Sequence, residues 1–466
     1  MIDLDLTVAE MLEILEAELH HGSEEILRES VRLCMDSRQV DSSAIFWPLV
    51  GENFDAHDFI KDVIKQGALM SIVEQSKAQN LPLCAYVPVD NSTTALLKLA
   101  RGWQRRFGAK KIAITGSNGK TTTKDMVNAI LQKTMNTIAT QGNFNNQIGV
   151  PRTLFQINHQ TEVAIVEMGT NSPGEIRTLS RTLEPHIAVI TNVGQSHLEG
   201  FGDLSEVAKE KASIKDGFAK KGTLIINADD PFLNKMRSTK RYKIVTIGLS
   251  RGQFSPRELV WDSNACASFR IGRTQYRLAV PGTHNLYNAL AAIAVATQMG
   301  VPKGIISQAL ANFNASGMRM EIRRMSGFKV AVDCYNANPS SMRAALETIA
   351  NVKNAQRKVA ILGDMLELGV NEAKLHEEIG FLVPQMNVDL LLCIGKLGKF
   401  IQEGALRGGM SPEKALHFHS HAEIKEFLQN EVQKNDLILV KASRGMKLET
   451  VVNGLEQLEP QFWEDN

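Results

Sequence analysis

The sequence predicts an α/β protein of three domains, and three observations carry that reading. The run Ile112-Ala113-Ile114-Thr115 breaks at Gly116, crosses Ser117-Asn118-Gly119, and enters a segment with Met126, Val127, Ile130 and Leu131 on one helical face. The middle of the chain then alternates short apolar runs with helical periodicity, as a mostly parallel sheet requires. A second alternation of the same kind follows residue 316. The length of 466 residues also suggests about three domains. They are placed at 1–108 (an N-terminal α/β unit), 109–315 (a central P-loop unit with a mostly parallel sheet) and 316–466 (a C-terminal Rossmann-like unit).

Composition narrows the class of protein. Lys and Arg total 52 against 51 Asp and Glu, so no basic excess points to nucleic acid. The apolar fraction of 43% suffices for several cores. Cysteines 34, 84, 266, 334 and 393 are scattered with no C-x-x-C pair, which reads as reduced thiols without a disulfide framework or zinc site. The start is acidic (Asp3, Asp5, Glu10, Glu13), unlike a signal peptide, and no apolar run approaches the ~18 residues of a membrane span. A cytoplasmic monomer acting on small molecules is expected.

In the first unit, Thr7 is placed to cap a helix over 8–19, and 44–47 reads as a strand. Asp36-Ser37-Arg38 has the form of a capped turn, although an arginine fork also suits a phosphate. A basic helical segment over 92–106 leads into the second unit.

The chemistry concentrates after Thr115. Backbone N–H groups of a glycine loop backed by a helix N-terminus favour an anion. Gly116, Ser117, Asn118, Gly119, Lys120, Thr121 and Thr122 are therefore the expected phosphate-binding residues, with Lys120 reaching a β/γ-phosphate and Thr121 ligating Mg²⁺. The loop is short: Ile114 stands where the usual first glycine would be. Strands are expected at 111–115, 137–140, 162–167, 187–191, 223–226 and 243–247, and open α/β sheets bind ligands at strand carboxyl ends. Glu167 closes one such strand and is a candidate to share the Mg²⁺, against the plainer reading of a solvated or arginine-paired carboxylate. His197 follows another and is a metal or phosphate candidate, whereas Lys211, inside a predicted helix, reads by itself as a solvated lysine. Asn285 and Asn288 share a helix face; Asn285 fits a cap, and Asn288 in a helix interior calls for a specific amide partner such as an adenine edge. In the third unit, strands are expected at 329–333, 358–362, 389–394 and 437–440. Arg319 suits a phosphate clamp or a surface ion pair, and Asp333 ends a strand.

Together these residues resemble the ATP-dependent Mur ligase family. The likeness is carried by Thr115 to Thr122, Glu167, His197, His284-Asn285-Leu286-Tyr287-Asn288, Arg319 and the loop at Asp333, and spans all three units in order. Further pointers are Asp36-Ser37-Arg38, Asn143-Phe144-Asn145-Asn146, Tyr335-Asn336-Ala337-Asn338-Pro339, the 363–369 loop and Lys441 to Met446; the Asp-Asn-Pro-Arg of a diaminopimelate-adding relative is absent. The resemblance implies an ATP-dependent ligase that joins D-alanyl-D-alanine to a UDP-N-acetylmuramoyl-tripeptide through an acyl phosphate. It implies that Lys120, Glu167, His197 and a carbamylated Lys211 serve catalysis, with Thr121, Glu167, His197 and Lys211 around Mg²⁺. Asn288, Arg319 and Asp333 would meet ATP, while Ser37, Arg38, Asn143, Asn146, Tyr335, Asn336 and Asn338 would meet substrate. Two rivals are a folylpolyglutamate-synthase-like ligase and a non-catalytic ATP-binding switch.

Overall fold

A computed structural model describes residues 1–51, 54–195, 198–219, 221–236, 241–315 and 317–458. The N-terminal unit contains β1 (Ile2–Thr7), α1 (Val8–Leu15), β2 (Ser30–Cys34), β3 (Ile45–Phe46), α2 (Ile60–Lys65), β4 (Met70–Glu74) and β5 (Tyr86–Val89). Its strands form one sheet in chain order, antiparallel at β1–β2 and parallel beyond. Thr7 does cap α1, in a reciprocal box with Glu10. The helix stops four residues short of the expected end. Glu16 turns left-handed at φ 50° and folds its N–H back onto the Leu12 and Glu13 carbonyls.

Helix α3 (Ser92–Arg105) ties this unit to the next. Its Leu96, Leu99 and Trp103 join a core that continues through Ala113, Leu154 and Leu179. The Trp103 indole donates to the Ile157 carbonyl at 3.1 Å. Arg101 and Arg105 converge on Glu184; despite the cost of burial, these pairings hold that carboxyl down at about 2.

The central unit follows as β6 (Lys110–Thr115), α4 (Lys120–Leu131), β7 (Thr137–Ala139), α5 (Gly149–Leu154), β8 (Val163–Glu167), α6 (Glu175–Leu183), β9 (Ile187–Ile190), α7 (Leu198–Phe201), α8 (Leu204–Ala212), β10 (Thr223–Asn227) and β11 (Lys243–Ile247). The parallel sheet runs β11-β10-β9-β6-β8-β7, with the glycine-loop strand in the middle. The six strand regions expected from the sequence form this sheet. A further antiparallel sheet of β12 (Arg257–Trp261), β13 (Cys266–Ile271) and β14 (Thr274–Pro281) was not expected. It is half-solvated: Tyr276, Leu278 and Val280 face inward while Gln275, Arg277 and Ala279 face water, so its apolar signal is diluted. Helices α9 (Thr283–Gln298) and α10 (Lys303–Ala311) complete the unit.

The C-terminal unit comprises β15 (Glu321–Arg324), β16 (Lys329–Val332), α11 (Pro339–Ala350), β17 (Arg357–Gly363), α12 (Glu372–Leu382), β18 (Leu390–Ile394), α13 (Gly398–Arg407), β19 (Ala415–Phe418), α14 (His421–Glu431), β20 (Asp436–Lys441) and α15 (Glu449–Glu456). Its sheet runs β15-β16-β20-β17-β18-β19, parallel except at the β15 edge. The turn between β12 and β13 sinks Ala265 into this unit's core beside Met320 and Ala331, and the Ser263 carbonyl accepts from the Lys353 N–H at 3.0 Å. Among the described residues no helix is long and apolar enough to cross a membrane.

Helices α12 and α13 meet through glycines, where a Cβ on Gly380 would overlap the Ile401 carbonyl and one on Gly404 the Glu377 carbonyl. Backbone cannot retreat as a flexible side chain can, so Gly380→Ala should cost about 1–3 kcal/mol by overpacking. Urea unfolding followed by circular dichroism checks this; an unchanged midpoint would contradict the close crossing.

Candidate active site

The carboxyl ends of β6, β8, β9 and β10 face those of β16 and β20 across a cleft of about 1000 Å³. That placement follows from parallel topology, which sends each strand's end and following loop to one edge of the sheet. The cleft gathers the phosphate loop, the 143–148 loop, Glu167, the 192–194 loop, Asp229 and Asp230, the start of α9, and residues 319–344 with Lys441.

The loop itself is held by a backbone and side-chain frame. Gly119 sits at φ 79°, where a side chain would be strained and would also collide with the Asn288 amide. Ser117 Oγ donates to the Gly194 carbonyl at 3.0 Å and accepts from the Gly194 N–H at 2.8 Å. Asn118 N–H donates to Asn192 Oδ1 at 2.9 Å. Lys120 Nζ lies over the loop, donating to the carbonyls of Gly116 (2.9 Å) and Ser117 (3.2 Å). Burial pushes its pKa down; Glu167 opposes that shift and Arg319 adds to it.

Behind the lysine, Thr121 Oγ1 donates to Glu167 Oε2 at 2.7 Å, while Asn145 Nδ2 donates to Glu167 Oε1 at 2.8 Å. Thr140 Oγ1 accepts the Glu167 N–H at 3.0 Å. Glu167 is buried rather than solvated, and among the described residues no arginine pairs with it. Hard oxygen donors at the foot of a phosphate loop fit Mg²⁺, which commonly takes one or two carboxylates and completes its shell with water and phosphate. Among the described residues no group of three or more His, Cys, Asp or Glu could hold a metal by itself. Thr122 also lines the cleft.

The α9 wall carries Asn285 and Asn288, both buried. Asn285 Nδ2 donates to the Pro281 carbonyl at 2.8 Å, Asn288 Nδ2 to Asn285 Oδ1 at 3.2 Å, and Thr123 Oγ1 to Asn288 Oδ1 at 3.3 Å. Asn288 thus has an amide partner within the protein and still borders the cleft. His284 lines the same wall; burial outweighs the pull of Asp333 and, helped by Lys441, brings its pKa to about 4.

The C-terminal wall is tied together by a buried lysine. Lys441 Nζ donates to Asp333 Oδ2 at 2.7 Å and to the Asn336 carbonyl at 3.1 Å, and Asp333 Oδ1 accepts the Met320 N–H at 3.0 Å. The Arg319 guanidinium stacks on Tyr335 at 3.6 Å and, among the described residues, makes no surface ion pair of the kind weighed from sequence. Asn143, Asn146 and Asn336 line the cleft, with Asn146 Oδ1 accepting the Ile148 and Gly149 N–H groups at the start of α5. Asn338 caps α11 and pairs with Asn118.

Three expected groups stand apart. Lys211 is buried, unlike the solvated lysine of the plain sequence reading, and lies outside the cleft lining. Burial, reinforced by Lys120 and opposed by Glu210, brings its pKa to about 7. Ser37 and Arg38 lie away from the cleft on the N-terminal unit, where Arg38 is exposed and forms two 2.8 Å bonds to Asp36. His197 lies outside the described residues. Asn145, Asn192 and Ser340 were not singled out as site residues from sequence. Asn192 stands two residues past the apolar strand β9, a strand-end signal like the one that exposed Glu167; Asn145 stood within the Asn143-Phe144-Asn145-Asn146 motif without a role of its own, and Ser340 carries no signal apart from the fold.

Residues 114–296 match the Mur ligase middle domain family and residues 318–444 the Mur ligase glutamate ligase domain family. The UDP-N-acetylmuramoyl-tripeptide--D-alanyl-D-alanine ligase of Bacillus subtilis (strain 168) is 37% identical over 427 residues, covering 90% of this chain and 92% of that protein. The Escherichia coli (strain K12) protein of the same name is 32% identical over 97% of this chain and 99% of its own. A crystal structure of MurF from Acinetobacter baumannii superposes at TM-score 0.89 with 30% identity, covering 97% and 99% of the two chains. MurF ligase from Thermotoga maritima, solved in complex with ADP, superposes at 0.82 with 27% identity over 92% and 97%. The phosphate loop, the Thr121–Glu167 pair and the facing C-terminal wall thus belong to a chain that is a member of the Mur ligase family.

Proposed function

We propose that this chain is an ATP-dependent ligase that forms a peptide bond between the terminal carboxylate of a UDP-N-acetylmuramoyl-tripeptide and the amine of D-alanyl-D-alanine, a step of peptidoglycan precursor synthesis. The observation that carries it is a phosphate loop and a buried Thr121–Glu167 pair facing Lys441, Asp333 and Arg319 across one cleft. A folylpolyglutamate-type activity would not draw on relatives named for the muramoyl-tripeptide reaction across 90% or more of the chain.

The chemistry divides among the units 1–108, 109–315 and 316–466. Residues 116–122 cradle the ATP phosphates, and Lys120 leaves its two carbonyl partners to meet the γ-phosphate. Mg²⁺, held by Thr121 and Glu167, would neutralise charge on the transferred phosphoryl group. Asn288 borders adenine, and Asp333 and Arg319 approach ribose and phosphate. The carboxylate attacks the γ-phosphorus, the bridging P–O bond breaks, and ADP departs. The amine then attacks the acyl carbon, a C–N bond replaces the C–O bond, and phosphate leaves. Positioning and charge stabilisation supply most of such catalysis. Asn143, Asn146, Tyr335, Asn336 and Asn338, which line the cleft, are assigned to the acid and the amine. The enzyme is taken to act as a monomer, and the five free cysteines suit a cytoplasmic location.

Phosphate release measured over a panel of UDP-muramoyl peptides and dipeptides should require both the tripeptide acid and D-alanyl-D-alanine. Lys120→Ala should abolish it without weakening UDP-peptide binding. Release from ATP alone, or normal turnover in the variant, would indicate a nucleotide switch or a misread loop.

Ser37 and Arg38 are assigned to the UDP moiety, with Arg38 exchanging its exposed Asp36 partner for phosphate. Arg38→Ala should raise KM for the UDP-peptide several-fold and leave KM for ATP unchanged, a pattern of lost uniform binding. A change confined to ATP would overturn the assignment.

Lys211 is proposed to be carbamylated and, with His197, to hold a second Mg²⁺. A carbamate needs a neutral amine, and burial that brings Lys211 to about 7 makes that form abundant at and above neutral pH. Lys211→Ala should be nearly inactive and be partly restored by formate or acetate, and intact-protein mass spectrometry after trapping should find the added CO₂. Wild-type activity in the variant, or no adduct, would leave the lysine structural.

A further inference from the structure

The phosphate loop reaches the C-terminal unit through the side chain of Asn118. Its Oδ1 accepts from Asn338 Nδ2 at 2.8 Å, and its Nδ2 donates to Ser340 Oγ at 2.7 Å and, more weakly, to Asn338 Oδ1 at 3.4 Å. Its backbone is fixed from the other side: Asn192 Oδ1 accepts the Asn118 N–H at 2.9 Å, and Thr191 Oγ1 and Asn192 Nδ2 donate to its carbonyl at 2.6 and 3.1 Å. Asn338 is the N-cap of α11, its Oδ1 accepting from the Ser341 N–H and from Ser340 Oγ, each at 2.9 Å. Cap and loop therefore share one carboxamide, and a shift of α11 relative to the loop must break the pair.

We propose that Asn118, Asn338 and Ser340 form a latch, a set of positioning residues that holds the C-terminal unit over the phosphate loop. The inference rests on the ligase reading of the cleft. Asp333, Arg319 and Lys441 belong to the C-terminal unit and reach the nucleotide only if that unit stays over the central sheet. The latch bonds are ones that water can replace, so the cleft can open to exchange ligands. Thr191 and Asn192 fix the Asn118 backbone so that its carboxamide already points at Asn338 and Ser340. Lys441, by contrast, spends its bonds on Asp333 and Asn336 within its own unit.

The alternative is that Asn338 is only a helix cap, and the variants separate the two. Asn338→Ser keeps a capping oxygen but removes the amide donor. It should leave Tm unchanged, lower kcat about tenfold, and change KM for the UDP-peptide little. Ser340→Ala, which keeps the cap and the stronger amide bond, should lose less. The Asn118→Ala/Asn338→Ser double variant should be no worse than the poorer single. Small-angle scattering of the full chain should show a compact wild type and a larger radius of gyration in Asn338→Ser. Wild-type kcat and compaction in Asn338→Ser, or losses that multiply in the double variant, would overturn the latch. If wild-type protein released no phosphate with both substrates, the ligase reading would fail, and the scattering comparison would still decide the latch.

Discussion

The 2.7 Å bond between Thr121 and Glu167 is the contact on which the site depends. It joins the first turn of α4 to the last residue of β8, so it forms only if the glycine loop makes its turn and β6 and β8 lie side by side in register. A carboxylate buried among strand ends would be costly if left alone. Here the Thr121 hydroxyl and the Asn145 amide occupy its oxygens, and Thr140 secures its backbone. The same ring of donors fixes a pair of hard oxygens at the foot of the phosphate loop.

Around that contact the cleft is assembled from two sheets whose strands end toward each other. Lys441, closing β20, locks Asp333 at the end of β16, so the C-terminal wall keeps its shape through internal bonds. The central wall keeps its own through the Asn285–Asn288–Thr123 chain. Each wall is preorganised separately, and the docked Ala265 turn and the Asn118–Asn338 pair join them. Such an arrangement suits a reaction in which one face positions the phosphoryl donor and the other completes its charge environment.

Much of this was legible in the sequence because parallel sheets write themselves as continuous apolar runs. The strands ending at Thr115 and Glu167 announced both their position and their chemistry, and so did the strand before Asp333. The antiparallel β12–β14 sheet was less visible, since one face is solvated and its alternation mixes with charged residues. Lys211 could not be distinguished from a surface lysine by helical position alone; its burial depends on how α8 packs against α6. The partners of Asn118 lie 220 and 222 residues away in the chain, and no local pattern encodes them.

The central claim is that the cleft transfers a phosphoryl group from ATP to a carboxylate before the amine attacks. The most direct test supplies the UDP-muramoyl-tripeptide with ¹⁸O in its terminal carboxylate and analyses the released phosphate by mass spectrometry. An acyl phosphate predicts that one ¹⁸O passes from the carboxylate to phosphate for each peptide bond formed. Phosphate free of label, with peptide still being made, would contradict the account.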